Sequence, residues 1–219
     1  MHARVGNVPN ANHSHPAPGM DALAHTAVLA LGSNLGESET TLEQAAADLV
    51  HLSGGAARLV RASGLYVTEP VGGPADQPDY INAVLEVCTS LDPYALLALC
   101  QQVEAHHHRV RLVRWGPRTL DIDVITYDDL VSDDPALTLP HPRAHERAFV
   151  LVPWEQANPQ AVIPSRDAAT GEQTRHLVAD LARRVRAADE RAGVNAVRFM
   201  RDMNLPKNLF DSGAESEGV

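Results

Sequence analysis

Arg114-Trp115-Gly116-Pro117-Arg118-Thr119-Leu120-Asp121-Ile122-Asp123 sets two carboxylates two residues apart, directly after a rigid, arginine-bearing turn. Side chains alternate across a strand, so Asp121 and Asp123 point one way while Leu120, Ile122 and Val124 point the other, toward a core. Two carboxylates so placed repel each other unless something positive lies between them. A hard divalent cation such as Mg²⁺ suits the position, because it takes oxygen ligands and commonly keeps substrate phosphates as its remaining partners. A solvated strand end is the plainer alternative.

The distribution of charge favours the phosphate reading. The 219-residue chain carries a net charge of −10, and all of it falls between residues 25 and 164. Residues 1–24 hold one Arg and one Asp, and residues 165–219 hold nine basic and nine acidic groups, so both ends are neutral. Within 25–164 all eight basic residues are arginines, and six of them lie between Arg109 and Arg147. Cations gathered around a carboxylate pair in an acidic domain suit a metal-bound polyphosphate. The overall acidity argues against nucleic acid as a partner, since that function shows a basic footprint. Lys207 is the sole lysine and lies in the C-terminal segment, which removes the lysine of a P-loop or a protein kinase. Arginine, with a fork that binds phosphate oxygens bidentately, must take that part.

A hydrophobic fraction of 44% is that of a globular chain. No apolar run reaches the roughly 18 residues that span a bilayer, so no membrane association is expected. Met1 to Pro18, rich in Asn, His and Pro, lacks the apolar segment of a signal peptide, which predicts a cytoplasmic protein. Cys88 and Cys100 read as buried thiols rather than a disulfide.

The elements that must position the carboxylates follow from periodicity. Residues 1–24 show no hydrophobic period and read as a disordered leader. Ala27 to Leu31 is a short apolar strand ended by Gly32-Ser33-Asn34, and Leu42, Ala45, Ala46, Leu49 and Val50 recur at helical spacing. Arg58 to Thr68 and Tyr80 to Leu91 read as strands, the second with Ala83, Leu85 and Val87 facing opposite to Val84 and Glu86. Asp92-Pro93 opens a helix as N-cap and first residue, with Leu96, Leu99, Cys100 and Val103 in one stripe. Leu120 to Tyr127 is the next strand. Strand, helix, strand, strand, helix, strand predicts an α+β, ferredoxin-like βαββαβ sandwich, with helices packed on one face of an antiparallel sheet. Additional C-terminal helices are expected over His145–Glu155 and Gln173–Ala188, and residues 194–210 are weakly amphipathic. His106-His107-His108 invites a zinc reading, but adjacent helical histidines point apart and nothing completes a tetrahedral set.

Four segments carry polar residues that packing alone does not require: Gly32-Ser33-Asn34-Leu35-Gly36, Gln77-Pro78-Asp79-Tyr80-Ile81-Asn82, Glu104 to Asp123, and Pro140-His141-Pro142. Together, over about residues 26–164, they resemble the 6-hydroxymethyl-7,8-dihydropterin pyrophosphokinase family of folate biosynthesis, with Trp115 to Asp123 the most specific stretch. The chain is read as a pyrophosphokinase domain over residues 25–190, followed by a tail over 191–219 that its small, acidic end, Asp211 to Val219, marks as partly disordered. It implies transfer of the terminal diphosphate of ATP to a pterin hydroxymethyl group, with release of AMP. Asp121 and Asp123 match the ligands of two Mg²⁺ ions, which would bridge phosphate oxygens. Arg109 and Arg111 match a basic pair in a mobile catalytic loop, and Arg118 a contact of the ATP phosphates, with Arg114 beside them. Gln101, Glu104, His141 and Arg147 match positions on the nucleotide and phosphate side. Asn82 matches a residue reading the pterin edge, Tyr80 and Phe149 its aromatic walls with Trp115 nearby, and Thr68 and Val71 residues that cover the ring.

The chain departs from the family pattern at Glu69-Pro70, at Gly72-Gly73, at Leu112-Val113 and at Pro142. Two other classes are weighed against this reading. A Mg²⁺-dependent nucleotidyltransferase also joins a Gly-Ser turn to an Asp-x-Asp strand, but there the two elements lie close together. A non-catalytic ferredoxin-like binding module rests on fold alone. The small-molecule substrates are the expected partners, and the chain is expected to be a monomer.

Overall fold

The computed structural model describes residues 23–70, 77–108, 117–167, 170–192 and 197–210. Strand β1 (His25–Ser33) is the spine of the sheet: β4 (Tyr80–Thr89) pairs antiparallel on one side of it and β5 (Asp121–Tyr127) on the other. Beyond β4 lie β2 (Ala57–Ala62) and β3 (Leu65–Thr68), which pair in turn with different stretches of it. Helices α1 (Ser38–Leu52) and α2 (Pro93–His106) make the two crossovers. The resulting order β3-β4-β1-β5 is that of the expected ferredoxin-like sandwich.

Both faces of the sheet are covered, because β1 and β4 are apolar on both sides. Ala27, Leu29, Leu31, Ala83, Leu85 and Val87 pack with Leu42, Leu49, Leu96 and Val103 of α1 and α2. Val28, Val84 and Ile125 pack instead with Leu151 and Trp154 of α3 (Ala148–Ala157) and Val178 and Ala182 of α4 (Val178–Ala192). The first two helices lie together on one face, as predicted, and the additional C-terminal helices take the other. Asp92 caps α2 as expected, its Oδ1 accepting from the Tyr94 and Ala95 amides at 2.9 Å each, a cap of the kind that contributes about 1 kcal/mol. Cys88 and Cys100 are free and buried, and burial pushes the Cys100 thiol well above its ordinary value.

The structure corrects several boundaries. Arg58 to Thr68 is not one strand: it breaks at Ser63-Gly64, where the Ser63 amide donates to the Val84 carbonyl and the Val84 amide to Ser63 Oγ, both at 2.9 Å. Gln173–Leu177 is not helical but forms strand β9, paired with β8 (Val162–Arg166), so α4 starts five residues later than its apolar period suggested. The predicted helix from His145 begins as a 3-10 turn over Ala144–Glu146 before α3. Periodicity gave no sign of the small hairpin β6 (Ser132–Asp134) and β7 (Leu137–Leu139), whose strands are too short to show one. Nor did it show β10 (Arg198–Arg201), which pairs with β3 at the sheet edge.

Gly64 explains how β10 docks. A Cβ there would come within 2.5 Å of the Phe199 ring and 2.8 Å of the Arg201 carbonyl oxygen. Gly64→Ala is therefore expected to cost about 1–3 kcal/mol, as overpacking does. A thermal melt reads the loss, and hydrogen exchange should show it concentrated in residues 198–201. Among the described residues, no helix is long and apolar enough to cross a membrane.

Candidate active site

The face of the sheet that carries α3 and α4 is left open at one end, and small residues make the floor there. In register, Gly32 of β1 lies between Asn82 of β4 and Asp121 of β5, and Ala30 lies between Val84 and Asp123. Alternation puts all of these side chains on the same face. The cleft above them is lined by Ala30, Gly32, Thr68, Glu69, Tyr80, Asn82, Arg118, Asp121, Asp123, Arg147 and Phe149.

Eight residues singled out in the sequence thus meet in one cleft. On the β4 side, buried Asn82 donates through Nδ2 to Thr68 Oγ1 at 2.8 Å, which fixes the amide plane. Its Oδ1 lies over Gly32, where a Cβ would come within 3.3 Å. Tyr80 stands beside it, its phenol held above the ordinary value by burial. On the β5 side, Arg118 pairs with Asp121 through Nη1 and Oδ2. Across the cleft, Arg147 Nη1 lies 3.7 Å from Asp123 Oδ2, and the guanidinium carbon sits 5.3 Å from the centre of the Phe149 ring. That cation–π contact ties the Phe149 ring to the Arg147 guanidinium. Burial lowers the pKa of Arg147 from its ordinary value, and the Asp123 carboxylate opposes that shift.

His141 stands at the margin. Its amide donates to the Ile125 carbonyl at 2.8 Å, and its Nε2 lies 3.8 Å from Asp123 Oδ2. Burial pulls its pKa below the usual histidine value, against the attraction of Asp123. His141 also borders a second, larger depression with Thr138, His145, Ile163, His176 and Arg184.

Other sequence candidates lie elsewhere. Gln101 is exposed on α2, and Glu104 is buried, its Oε1 accepting from the Ile122 amide at 2.8 Å. Neither lines the cleft; Glu104 instead holds the backbone between the two aspartates. Val71, Arg109, Arg111, Arg114 and Trp115 lie outside the described residues. His106 and His107 do not point apart as expected: both approach Asp48 Oδ2, at 3.8 and 3.0 Å, because α2 ends at His106 and the turn brings the next ring back. Sequence reasoning missed Ala30 and Gly32 as the floor, although small residues alternating with Leu29 and Leu31 were the available signal. Glu69, read only as a departure from a pattern, lines the rim.

The donor set fits a hard divalent cation. Asp121 and Asp123 offer carboxylate oxygens on one face of β5, partly exposed to the cleft, with cations at its edges to meet further negative charge. Among the described residues no group of three or more His, Cys, Asp or Glu that could hold a metal ion is found, so two carboxylates would leave most of a cation's coordination positions to other oxygens, water or phosphate.

Comparison with known proteins adds to this geometry. The model of the 7,8-dihydro-6-hydroxymethylpterin-pyrophosphokinase family matches residues 28–159. The chain is 42% identical over 147 residues to the 2-amino-4-hydroxy-6-hydroxymethyldihydropteridine pyrophosphokinase of Bacillus subtilis, covering 67% of this chain and 86% of that one. The enzyme of the same name from Haemophilus influenzae is 41% identical over 145 residues, covering 66% of this chain and 89% of that one. In fold the chain is similar to Plasmodium falciparum HPPK-DHPS solved with pteroate, with a TM-score of 0.55 at 14% identity, covering 78% of this chain and 44% of that one.

Proposed function

This chain belongs to the 7,8-dihydro-6-hydroxymethylpterin-pyrophosphokinase family, and from that premise we propose that the cleft between β4 and β5 is where its chemistry occurs. The chain is an ATP-dependent pyrophosphokinase of folate biosynthesis, which transfers diphosphate to 6-hydroxymethyl-7,8-dihydropterin. One observation carries the placement. Asn82 and Asp121 flank Gly32 on neighbouring strands, so two interstrand spacings put their backbones about 10 Å apart. A bicyclic pterin with its hydroxymethyl arm bridges such a span.

In this reading Asn82 reads the ring edge, with its amide oriented by Thr68, while Tyr80 and Phe149 flank the ring and exclude water. Val71 and Trp115 are assigned to pterin binding by family position alone. The hydroxymethyl oxygen attacks the β-phosphorus of ATP and gives up its proton to water, and the bond to the oxygen bridging the α- and β-phosphorus breaks to release AMP. Asp121 and Asp123 would hold two Mg²⁺ ions, which supply positive charge to the transferring and leaving oxygens. Arg118 and Arg147 bind phosphate oxygens directly, and Arg109, Arg111 and Arg114 are assigned to the same task. Glu104, by holding the Ile122 amide, keeps both aspartates in place, and with Gln101 and His141 it is assigned to the nucleotide side. We place the enzyme in the cytoplasm as a monomer without a nucleic-acid partner; sedimentation equilibrium tests the monomer.

Product analysis with ATP labelled in its terminal phosphate tests the reaction. Label in a pterin diphosphate, with unlabelled AMP, is expected; release of labelled pyrophosphate would mean nucleotidyl transfer, and no turnover a binding module. Asn82→Leu leaves the polar ring edge unpaired, at about 1–3 kcal/mol. Steady-state kinetics should show the pterin KM rising about ten- to a hundredfold, with the ATP KM little changed.

A further inference from the structure

Asn34 follows β1 directly and is only 3% exposed, yet it does not line the cleft. Its polar groups reach both substrate-binding sides at once. The side-chain Oδ1 accepts from the Arg118 amide at 2.8 Å, and the Asn34 amide donates to the Arg118 carbonyl at 3.0 Å. The other arm, Nδ2, donates to the Pro78 carbonyl at 3.1 Å. Arg118 carries the guanidinium that pairs with Asp121, and Pro78 stands two residues before Tyr80, where β4 begins.

We propose that Asn34 is a positioning residue that holds the pterin-side and phosphate-side segments at a fixed separation across the end of β1. The inference rests on the reading of the cleft given above. Residues 77–79 and 117–120 are irregular backbone, each entering a different strand on either side of β1, and Asn34 bonds to both. A primary amide is the side chain that suits both ends, because it presents one acceptor and two donors in one plane. A carboxylate has the same shape and can still accept from the Arg118 amide, but its second oxygen would face the Pro78 carbonyl with no proton between them. Alanine removes both arms. Reaction depends steeply on such spacing, since a misplacement of about 1 Å costs on the order of a hundredfold.

The test separates the two arms. Asn34→Asp should raise the KM and the Kd of the pterin about tenfold, with the ATP KM within about twofold, because only the Pro78 arm is lost. Asn34→Ala should raise both KM values and lower kcat by about a hundredfold. Variants that melt earlier but keep all three constants when folded at the assay temperature would overturn the proposal, as would Asn34→Asp weakening both substrates equally. Hydrogen exchange on the wild-type chain covers the case in which the variants do not fold. Pterin alone should slow exchange in residues 117–120, and an ATP analogue alone should slow it in residues 77–80; no such reciprocal protection would also overturn it. Failure of the wild type to form pterin diphosphate would instead defeat the reading of the cleft, so the two failures are distinguishable.

Discussion

Asp123→Ala is expected to lower turnover by about a thousandfold or more while leaving the fold intact. Three decades of rate correspond to about 4 kcal/mol of transition-state stabilisation, within the several kcal/mol that charge neutralisation at a transferring phosphoryl group supplies. The side chain is 38% exposed to the cleft, and two of its ion-pair partners, His141 and Arg147, lie at 3.8 and 3.7 Å. Loss of such open pairs costs about 1 kcal/mol or less in stability, so the melting temperature should move by only a few degrees. Steady-state kinetics beside a thermal melt check both halves. Turnover within tenfold of wild type would contradict the assignment, and collapse of the fold would show that Asp123 serves the structure first.

The largest stability loss is expected far from the chemistry, at Glu86. Its side chain is 6% exposed in the middle of β4 and is fully engaged by donors from three places. Arg61 of β2 donates at 2.9 Å, Trp154 Nε1 of α3 at 3.0 Å, and Asn158 Nδ2 to both oxygens at 2.9 and 3.2 Å. Glu86→Ala strands the buried indole N–H and the half-buried Asn158 amide and opens a cavity. Breaking a buried charged network by removing one partner costs about 3–5 kcal/mol, and Arg61, half exposed, can turn to water, which places the value near the lower end. For a chain of this size that is a fall of about 6–12 °C in melting temperature. Glu86→Gln keeps the shape and an acceptor for Trp154, and should lose about half as much. A loss below about 0.5 kcal/mol in Glu86→Ala, no more than an unremarkable surface substitution, would refute the role. Because Glu86 fastens α3 to the sheet, and α3 brings Phe149 to the cleft next to Arg147, the alanine variant should also bind pterin more weakly.

Much of this was legible in the chain itself, for physical reasons that also mark the limits. The order of elements followed from periodicity because β1 and β4 are long and α1 and α2 carry clean apolar stripes, and Asp92-Pro93 announced a helix start by its capping chemistry. Alternation alone predicted that Asp121 and Asp123 share a face. Periodicity failed where packing overrides it. Alternation placed Glu86 with Val84 on one face but not its burial there, which depends on α3, more than sixty residues away in sequence. The strand Gln173–Leu177 carried no helix-breaking residue, and only its pairing with β8 decides its form. Gln101 and Glu104 shared a helical turn, but the position of α2 relative to β5 sends one to solvent and the other to the Ile122 amide. Asn34 stood in a visible Gly-Ser-Asn turn, yet its two partners lie 44 and 84 residues away, and nothing local could reveal them.

The placement of the chemistry on the β5 carboxylates has one direct test. Crystals grown with Mn²⁺ in place of Mg²⁺, a non-hydrolysable ATP analogue and the hydroxymethyl-dihydropterin would locate the metal by its anomalous scattering. Two manganese peaks bonded to the carboxylates of Asp121 and Asp123, with the pterin edge on Asn82, are the predicted result. Metal bound elsewhere with both carboxylates bare, or a pterin outside the cleft between β4 and β5, would contradict it.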